Sequence, residues 1–347
     1  MHRFRQRAGF AALAVALVAT GCKWTGWSDT ASKNSAHTAR NWIVTQQQAD
    51  GGFEVSGFAG FETPDAITAI AEDAQQQQSW STSQARTAVR NVQRGGKSAL
   101  DAIDDFADGP LTAGQAAKLV VLVAKPLGYG LHNFNPQNDA TTRDLEAVVD
   151  AGLQPSGSYG AFNATLYAVI AKKLAKATVG ANTVALIRAG QQASGGWGFS
   201  GDGSASDADI DTTSLAIQAL VAGGATATDT NLVKGVRYLA HQQQANGSWQ
   251  SFGSDDPNST STAIMAITAI GEDAGAKCWR DRAVPALTAN AYKSPLAWLR
   301  SQVAGDGHVT SANDAFPPVN TFATAQSIQA LRRGWMPAVW LDAVRCP

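Results

Sequence analysis

The chain has 347 residues, a formal net charge of −1, 44% hydrophobic and only 16% charged residues. That length supports one large core or two modest ones, and the sparse charge leaves the surface to Gln, Ser, Thr and Asn. No cluster of Lys and Arg marks a nucleic-acid footprint, so nucleic acid is excluded as a partner.

The chain opens like an export signal. Arg3, Arg5 and Arg7 precede an apolar run over 9–20 that is too short to span a bilayer. Small residues then lead into Gly21-Cys22, a pattern similar to a bacterial lipobox, so Cys22 is a candidate for lipidation and for membrane attachment through that lipid. Removal of residues 1–21 moves the net charge from −1 to −4. The protein is therefore expected outside the cytoplasm, secreted or held at the cell membrane. Export also bears on Cys278 and Cys346, which would pair in an oxidising compartment or remain as two buried thiols. Pairing would close a loop of nearly 70 residues and contribute on the order of 4 kcal/mol. Residues 22–34 read as a tether, and 35–347 as one domain.

From Ser35 onward the pattern is helical, with Ala39, Trp42, Ile43 and Gln46 on one face. This helix stops at Asp50-Gly51-Gly52-Phe53, where the glycines supply positive φ and the aromatic plugs the gap. The same plan returns at Gly195-Gly196-Trp197 after Gln191-Gln192, at Gly247-Ser248-Trp249 after Gln242-Gln243-Gln244, and at Gly305-Asp306-Gly307-His308 after Gln302. Weaker copies stand at Gly109 and at Gly157-Ser158-Tyr159. The spacing of about 40–60 residues is that of a helix pair. After each turn comes an Ala-rich helix that is apolar on nearly all sides, predicted over 64–74, 112–124, 161–174, 211–223, 259–271 and 320–333. These belong inside, and the more charged helices before the turns belong outside. An open solenoid needs polar end caps and favours regular repeats. Six varied repeats with small inner side chains predict closure instead: an all-α, α/α toroid of six inner and six outer helices, read as a monomer.

The Gln-x-x-x-Gly-Gly-Trp/Phe turns resemble the repeat of the prenyltransferase and squalene-oxidase superfamily. That group includes terpenoid cyclases, protein prenyltransferase β subunits and cobalamin carriers, all with α/α toroids. The resemblance covers residues 35–335 and is sharpest near 46, 191 and 242. It implies a rim where all the inner helices begin, with an apolar cavity below.

Asp209-Ile210-Asp211-Thr212-Thr213 lies on that rim and is similar to the Asp-x-Asp-Asp-Thr motif of class II terpenoid cyclases. The resemblance would make Asp211, beside Asp209, the general acid that protonates an alkene or epoxide, with Thr212 in place of the second Asp. Three further readings stand beside this one. Asp211 caps the helix, with Asp209 solvated. Asp211 contacts a bound ligand. Or the Gly-Asp-rich loop (Asp202, Asp207, Asp209) holds calcium, although Thr212 and Gln218 break the EF-hand pattern. The prenyltransferase zinc set is absent, because Asp-x-Asp stands where Asp-x-Cys is needed and Cys278 and His308 lie in other contexts. No cofactor is expected. Phe53, Trp197 and Trp249 read as wedges in the repeat turns. Phe58, Phe61, Phe199 and Phe252 follow the wedge position and are candidates to line a ligand rim. These readings converge on a hydrophobic, polycyclic or corrin-like ligand bound without catalysis. The inner-helix starts Asp211-Thr212 and Ser259-Thr260-Ser261-Thr262 resemble those of the cobalamin carriers. The alternatives are a cyclase using Asp211, and a scaffold or glycan-binding module that works by its outer face.

Overall fold

The computed structural model describes residues 29–54, 60–75, 80–284, 292–313 and 319–333. The first helix, α1 (Thr30–Thr45), begins inside the segment read as a tether. Asp29 caps it, accepting the Ser32 amide at 2.7 Å. Then come α2 (Thr63–Asp73), α3 (Thr82–Asn91), a hairpin of β1 (Gln93–Arg94) and β2 (Lys97–Ser98), α4 (Ala99–Asp108) and α5 (Ala113–Leu119). A π-helical turn (Val120–Ala124) continues α5 into the short α6 (Lys125–Leu127). There follow α7 (Leu145–Ala151), α8 (Phe162–Leu174), α9 (Ala181–Ala189), the hairpin β3 (Trp197–Gly198) and β4 (Ala208–Asp209), α10 (Ile210–Ala222) and α11 (Thr230–Gln242). The chain closes with the hairpin β5 (Trp249–Ser251) and β6 (Ser254–Asp256), α12 (Pro257–Ala269), α13 (Cys278–Ala283), α14 (Pro295–Gln302) and α15 (Thr321–Arg332).

The inner layer is a closed ring. Around it α2 packs on the π turn that extends α5, α5 on α8, α8 on α10, α10 on α12, α12 on α15, and α15 back on α2. Alanines such as Ala69, Ala117, Ala168, Ala216, Ala266 and Ala330 are buried and let the inner helices approach closely. Outside, α1 covers α15 and α2, while α3, α4, α7, α9, α11 and α14 cover the remaining seams. The predicted toroid is the observed fold.

The inner helices start where they do because of one turn used five times among the described residues. In each copy a glycine takes positive φ: Gly51, Gly157, Gly195, Gly247 and Gly307, between +90° and +106°. The amide two residues later, from Phe53, Tyr159, Trp197, Trp249 or Val309, donates to a threonine hydroxyl on the next inner helix. The acceptors are Thr63, Thr165, Thr213, Thr260 and Thr324, each at 2.9 Å. Trp197 and Trp249 are fully buried and donate their indole N–H to Ile187 and Leu239 carbonyls. Gln47, Gln191 and Gln243 donate to the carbonyl of the turn glycine and to a carbonyl of the next repeat, tying one helix pair to its neighbour. The copy expected at Gly109 is a correction: its φ is −75°, and it ends α4 in extended backbone.

The π turn has a local cause. Pro126 has no N–H to offer the carbonyl of Leu122, four residues earlier. That carbonyl accepts the Thr68 hydroxyl from α2 at 2.7 Å instead, so the defect becomes an inter-helix bond. Among the described residues no helix is long and apolar enough to cross a membrane.

Candidate functional site: the mouth of the ring

A cavity of about 290 Å³ opens where the inner helices begin, and all six contribute to its wall. Four of them present the same stripe, one residue from the first turn and then the residues four and seven further on. These are Asn163, Tyr167 and Ile170 on α8; Asp211, Leu215 and Gln218 on α10; Asn258, Thr262 and Met265 on α12; and Phe322, Gln326 and Gln329 on α15. Helical geometry stacks such residues on one face, so each stripe runs from rim to floor. The wall is mixed at each level: Tyr167 and Leu215 stand with Thr262 and Gln326 at mid-depth, and Ile170 and Met265 with Gln218 and Gln329 at the floor. Its size lies at the lower end of the range for small-molecule sites.

The Asp-rich stretch resolves differently from the cap reading. Asp209 is the N-cap of α10: its backbone is extended and its carboxylate accepts the Thr212 amide at 2.7 Å. Asp211 lies in the first turn, past the cap, and faces the well. Its oxygens accept hydroxyl hydrogens from Thr262 at 2.9 Å and Ser259 at 3.2 Å, both on α12. Many protein atoms surround the carboxyl, but its surface is exposed at the mouth of the cavity. Burial, aided by the nearby Asp209 and Asp256 carboxylates, pushes its pKa up to about 6 against the opposing Thr262 and Ser259 hydrogen bonds. Burial also raises Asp209 despite its hydrogen bond from Thr212.

The opposite wall carries an ion pair. Asp65 on α2 meets Lys118 on α5 at 2.8 Å, and Lys118 also donates to the Phe61 carbonyl at 2.5 Å. Burial alone would lower the lysine pKa, but Asp65, with Tyr167 next, outweighs it and the value is raised. The ammonium sits 4.7 Å from the Phe61 ring and 5.8 Å from Phe322, and those two rings are 5.0 Å apart. In a six-membered ring α2 is three positions from α10, so a lone carboxyl faces a neutralised pair across the well.

Of the rim aromatics, Phe199 is exposed and lines the well, and Phe61 packs beside it on Phe322. Phe252 stands away from the well, at the tip of the β5–β6 hairpin. Phe58, Cys22 and Cys346 lie outside the described residues. The calcium reading finds no cage: no three His, Cys, Asp or Glu side chains among the described residues converge to hold a metal ion. Asp207 instead accepts the Gln192 amide at 2.6 Å, and Asp202 accepts Ser204. Asp65, Lys118 and Tyr167 escaped the sequence reading, which named Thr262 only within a helix start and gave it no role. Counting four residues on from the second residue of α8 and of α12, Asn163 and Asn258, reaches Tyr167 and Thr262.

The fold and its open mouth place the chain among the α/α toroids with a central well. No protein-family model matches it, and no curated protein matches it in sequence. Its shape does match solved structures of the type II terpene cyclase MstE from Scytonema. The apo form has a TM-score of 0.59 at 13% identity, over 87% of this chain and 97% of that one. A variant in complex with geranylgeranyl dihydroxybenzoate (substrate) gives 0.60 at 12%, over 88% and 97%. Another, with merosterolic acid A (product), gives 0.59 at 12%, over 87% and 96%. At such identity the likeness establishes the shared fold.

Proposed function

We propose that the well binds a compact hydrophobic ligand of the isoprenoid or polycyclic class. Its apolar body packs on Tyr167, Ile170, Leu215, Met265 and Phe322, and its polar end meets Asp211. The observation that carries this reading is the open cavity, part apolar and part polar, walled by every inner helix. A ring plugged by its own aromatics, as a scaffold would be, has no such space. At about 290 Å³ the well cannot enclose a corrin, so a ligand of that size would sit on the rim. Support comes also from MstE, whose toroid has been captured with a geranylgeranyl substrate. The test is native mass spectrometry of the purified protein, with melting temperatures measured against isoprenoid alcohols, triterpenoids and corrinoids. A ligand at a hundred times its Kd stabilises by about 2.7 kcal/mol. Leu215→Trp, which fills the well, should abolish the shift. No co-purified molecule and no shift with any compound defeats the reading.

One observation favours a second reading, acid catalysis by Asp211. Its carboxyl is held by two hydroxyls and by no backbone amide, with a pKa near 6. A bound apolar ligand would expel water and favour the protonated form further. Transfer of that proton to an alkene carbon leaves a carboxylate that the Thr262 and Ser259 hydroxyls stabilise, and loss of a proton from the cyclised cation restores an alkene. Substrate and product are isomers, and no redox partner is needed. Linear polyprenes incubated with the protein should yield cyclic isomers by gas chromatography, and Asp211→Asn should abolish them while retaining binding. Equal product from that variant sinks this role.

We further propose that the protein is exported with Cys22 lipidated, and that Cys278, which opens α13, pairs with Cys346. Unchanged membrane partitioning of Cys22→Ser would reject the anchor. An unchanged melting temperature on reduction would reject the bridge.

A further inference from the structure

Asp211 belongs to two cavities. Besides the central well, a second space of about 290 Å³ adjoins the start of α10. Asp209, Asp211, Gln242, Gln244, Gln250 and Phe252 line it. The two spaces thus share Asp211 as a common lining residue.

The chemistry of the side pocket is unlike that of the well. Three glutamine amides line it; Gln244 donates one N–H to the Gln242 carbonyl and Gln250 one to Asp255, which leaves each a second N–H and a carbonyl acceptor. No lysine or arginine lines the space, and two carboxyls do. A phosphate, diphosphate or carboxylate head group would meet uncompensated repulsion there. An ammonium would be drawn to the two carboxyls and the carbonyl acceptors but would leave the amide donors unmatched. Phe252 adds a flat apolar face. It is 95% exposed and has a φ of +48°, a costly left-handed conformation for a bulky residue that presents its ring to solvent. Paired amide donors and acceptors beside an exposed ring match a sugar, which has hydroxyls around its edge and an apolar C–H face.

We propose that the side pocket is a subsite for a neutral polyhydroxylated head group, a glycosyl unit, borne by the ligand whose apolar body fills the well. The proposal rests on the reading of the well as a ligand site. Calorimetric titration of the full chain with geraniol, geranylamine and geranyl β-D-glucoside tests both and tells them apart. The expected result is that the glucoside binds at least about tenfold tighter than geraniol. Phe252→Ala and Gln250→Ala should each erase most of that gain and leave the affinity for geraniol at the wild-type value, since neither side chain lines the well. Both residues are exposed, so the variants should fold. Equal affinity for alcohol and glucoside overturns the subsite and leaves the well intact. So does a gain for the amine alone, or a glucoside gain that survives both substitutions. If geraniol and the glucoside both fail to bind, the reading of the well falls and the subsite falls with it.

Discussion

Asp209 and Asp211 stand two residues apart and do opposite work. Asp209 turns its carboxylate back onto the amide of Thr212, the ordinary stabilisation of an anion at a helix start. Asp211 is carried by the first turn into the well, where burial dominates. The sequence held both options, because Asp-x-Asp-Thr-Thr places a capping residue before either candidate first turn and helix ends are uncertain by a residue or two. The raised pKa has a consequence for stability. An unfolded aspartate ionises near 3.8, whereas Asp211 in the fold ionises near 6. Between these values the native state retains a proton that the unfolded state has lost, so stability falls as pH rises and stays lower above the upper value. Discounted for its access to the cavity, the penalty is about 1–2 kcal/mol. Asp211→Asn should therefore raise the melting temperature by about 2–4 °C at pH 8 and by little at pH 4. A variant that melts lower than the wild type at pH 8 would contradict the assignment. Stability gained by removing a functional carboxyl is the expected trade at such a site.

At the scale of the element, the repeat turn is the unit that builds the rim. Gly195 takes a φ of +92°, and a Cβ there would lie 2.7 Å from the Lys234 carbonyl oxygen of α11. Gly224 has nearly the same backbone, with a φ of +96°, but nothing lies within 4 Å of its added Cβ. Gly224→Ala should cost about 1–2 kcal/mol, from backbone strain alone. Gly195→Ala should cost about 3 kcal/mol or more, because the neighbouring helix must also move. Urea denaturation of the two variants measures the difference, and equal losses would mean that the close approach between repeats carries no weight. The glycine pairs were legible as turns. Which glycine bends was not: the positive φ falls on Gly51 and Gly195, while Gly52 and Gly196 are small because side chains crowd them. The five threonine acceptors were equally hidden, since a threonine in an Ala-rich helix carries no signal until the turn is laid beside it.

At the scale of the molecule, the defining event is closure between the last helix and the first. Gln329 on α15 donates to the backbone and side-chain oxygens of Asp65 on α2. Arg332 donates to the carbonyls of Glu72 and Gln75 at the end of α2, which also suits the negative end of that helix. Outside, Gly307 packs against the Thr38 carbonyl of α1, and Arg300 on α14 reaches Asp29 and Ser32. In an open array each repeat rests on its neighbours, and an end repeat can be lost alone. In a closed ring the loss of one member exposes both flanking faces. A chain ending at Asn313, without α15, should lose most of its helical circular dichroism and its single unfolding transition. Loss of only the share of helix that α15 contributes would show that the ring tolerates opening.

Periodicity, glycine spacing and composition by themselves determined the fold class of this protein. Inner helices with small apolar residues on every side can be satisfied only by burial, and glycines about 40–60 residues apart can serve only as turns between helix pairs. The chemistry of the mouth was decided by tertiary structure alone. Tyr167, Lys118, Asp65 and Thr262 come from four different inner helices, and their meeting depends on the rotation and depth of each helix in the ring. Whether an aspartate is a solvated cap or a carboxyl with a pKa near 6 depends on how much water the assembled wall excludes, and that property belongs to no local stretch of sequence.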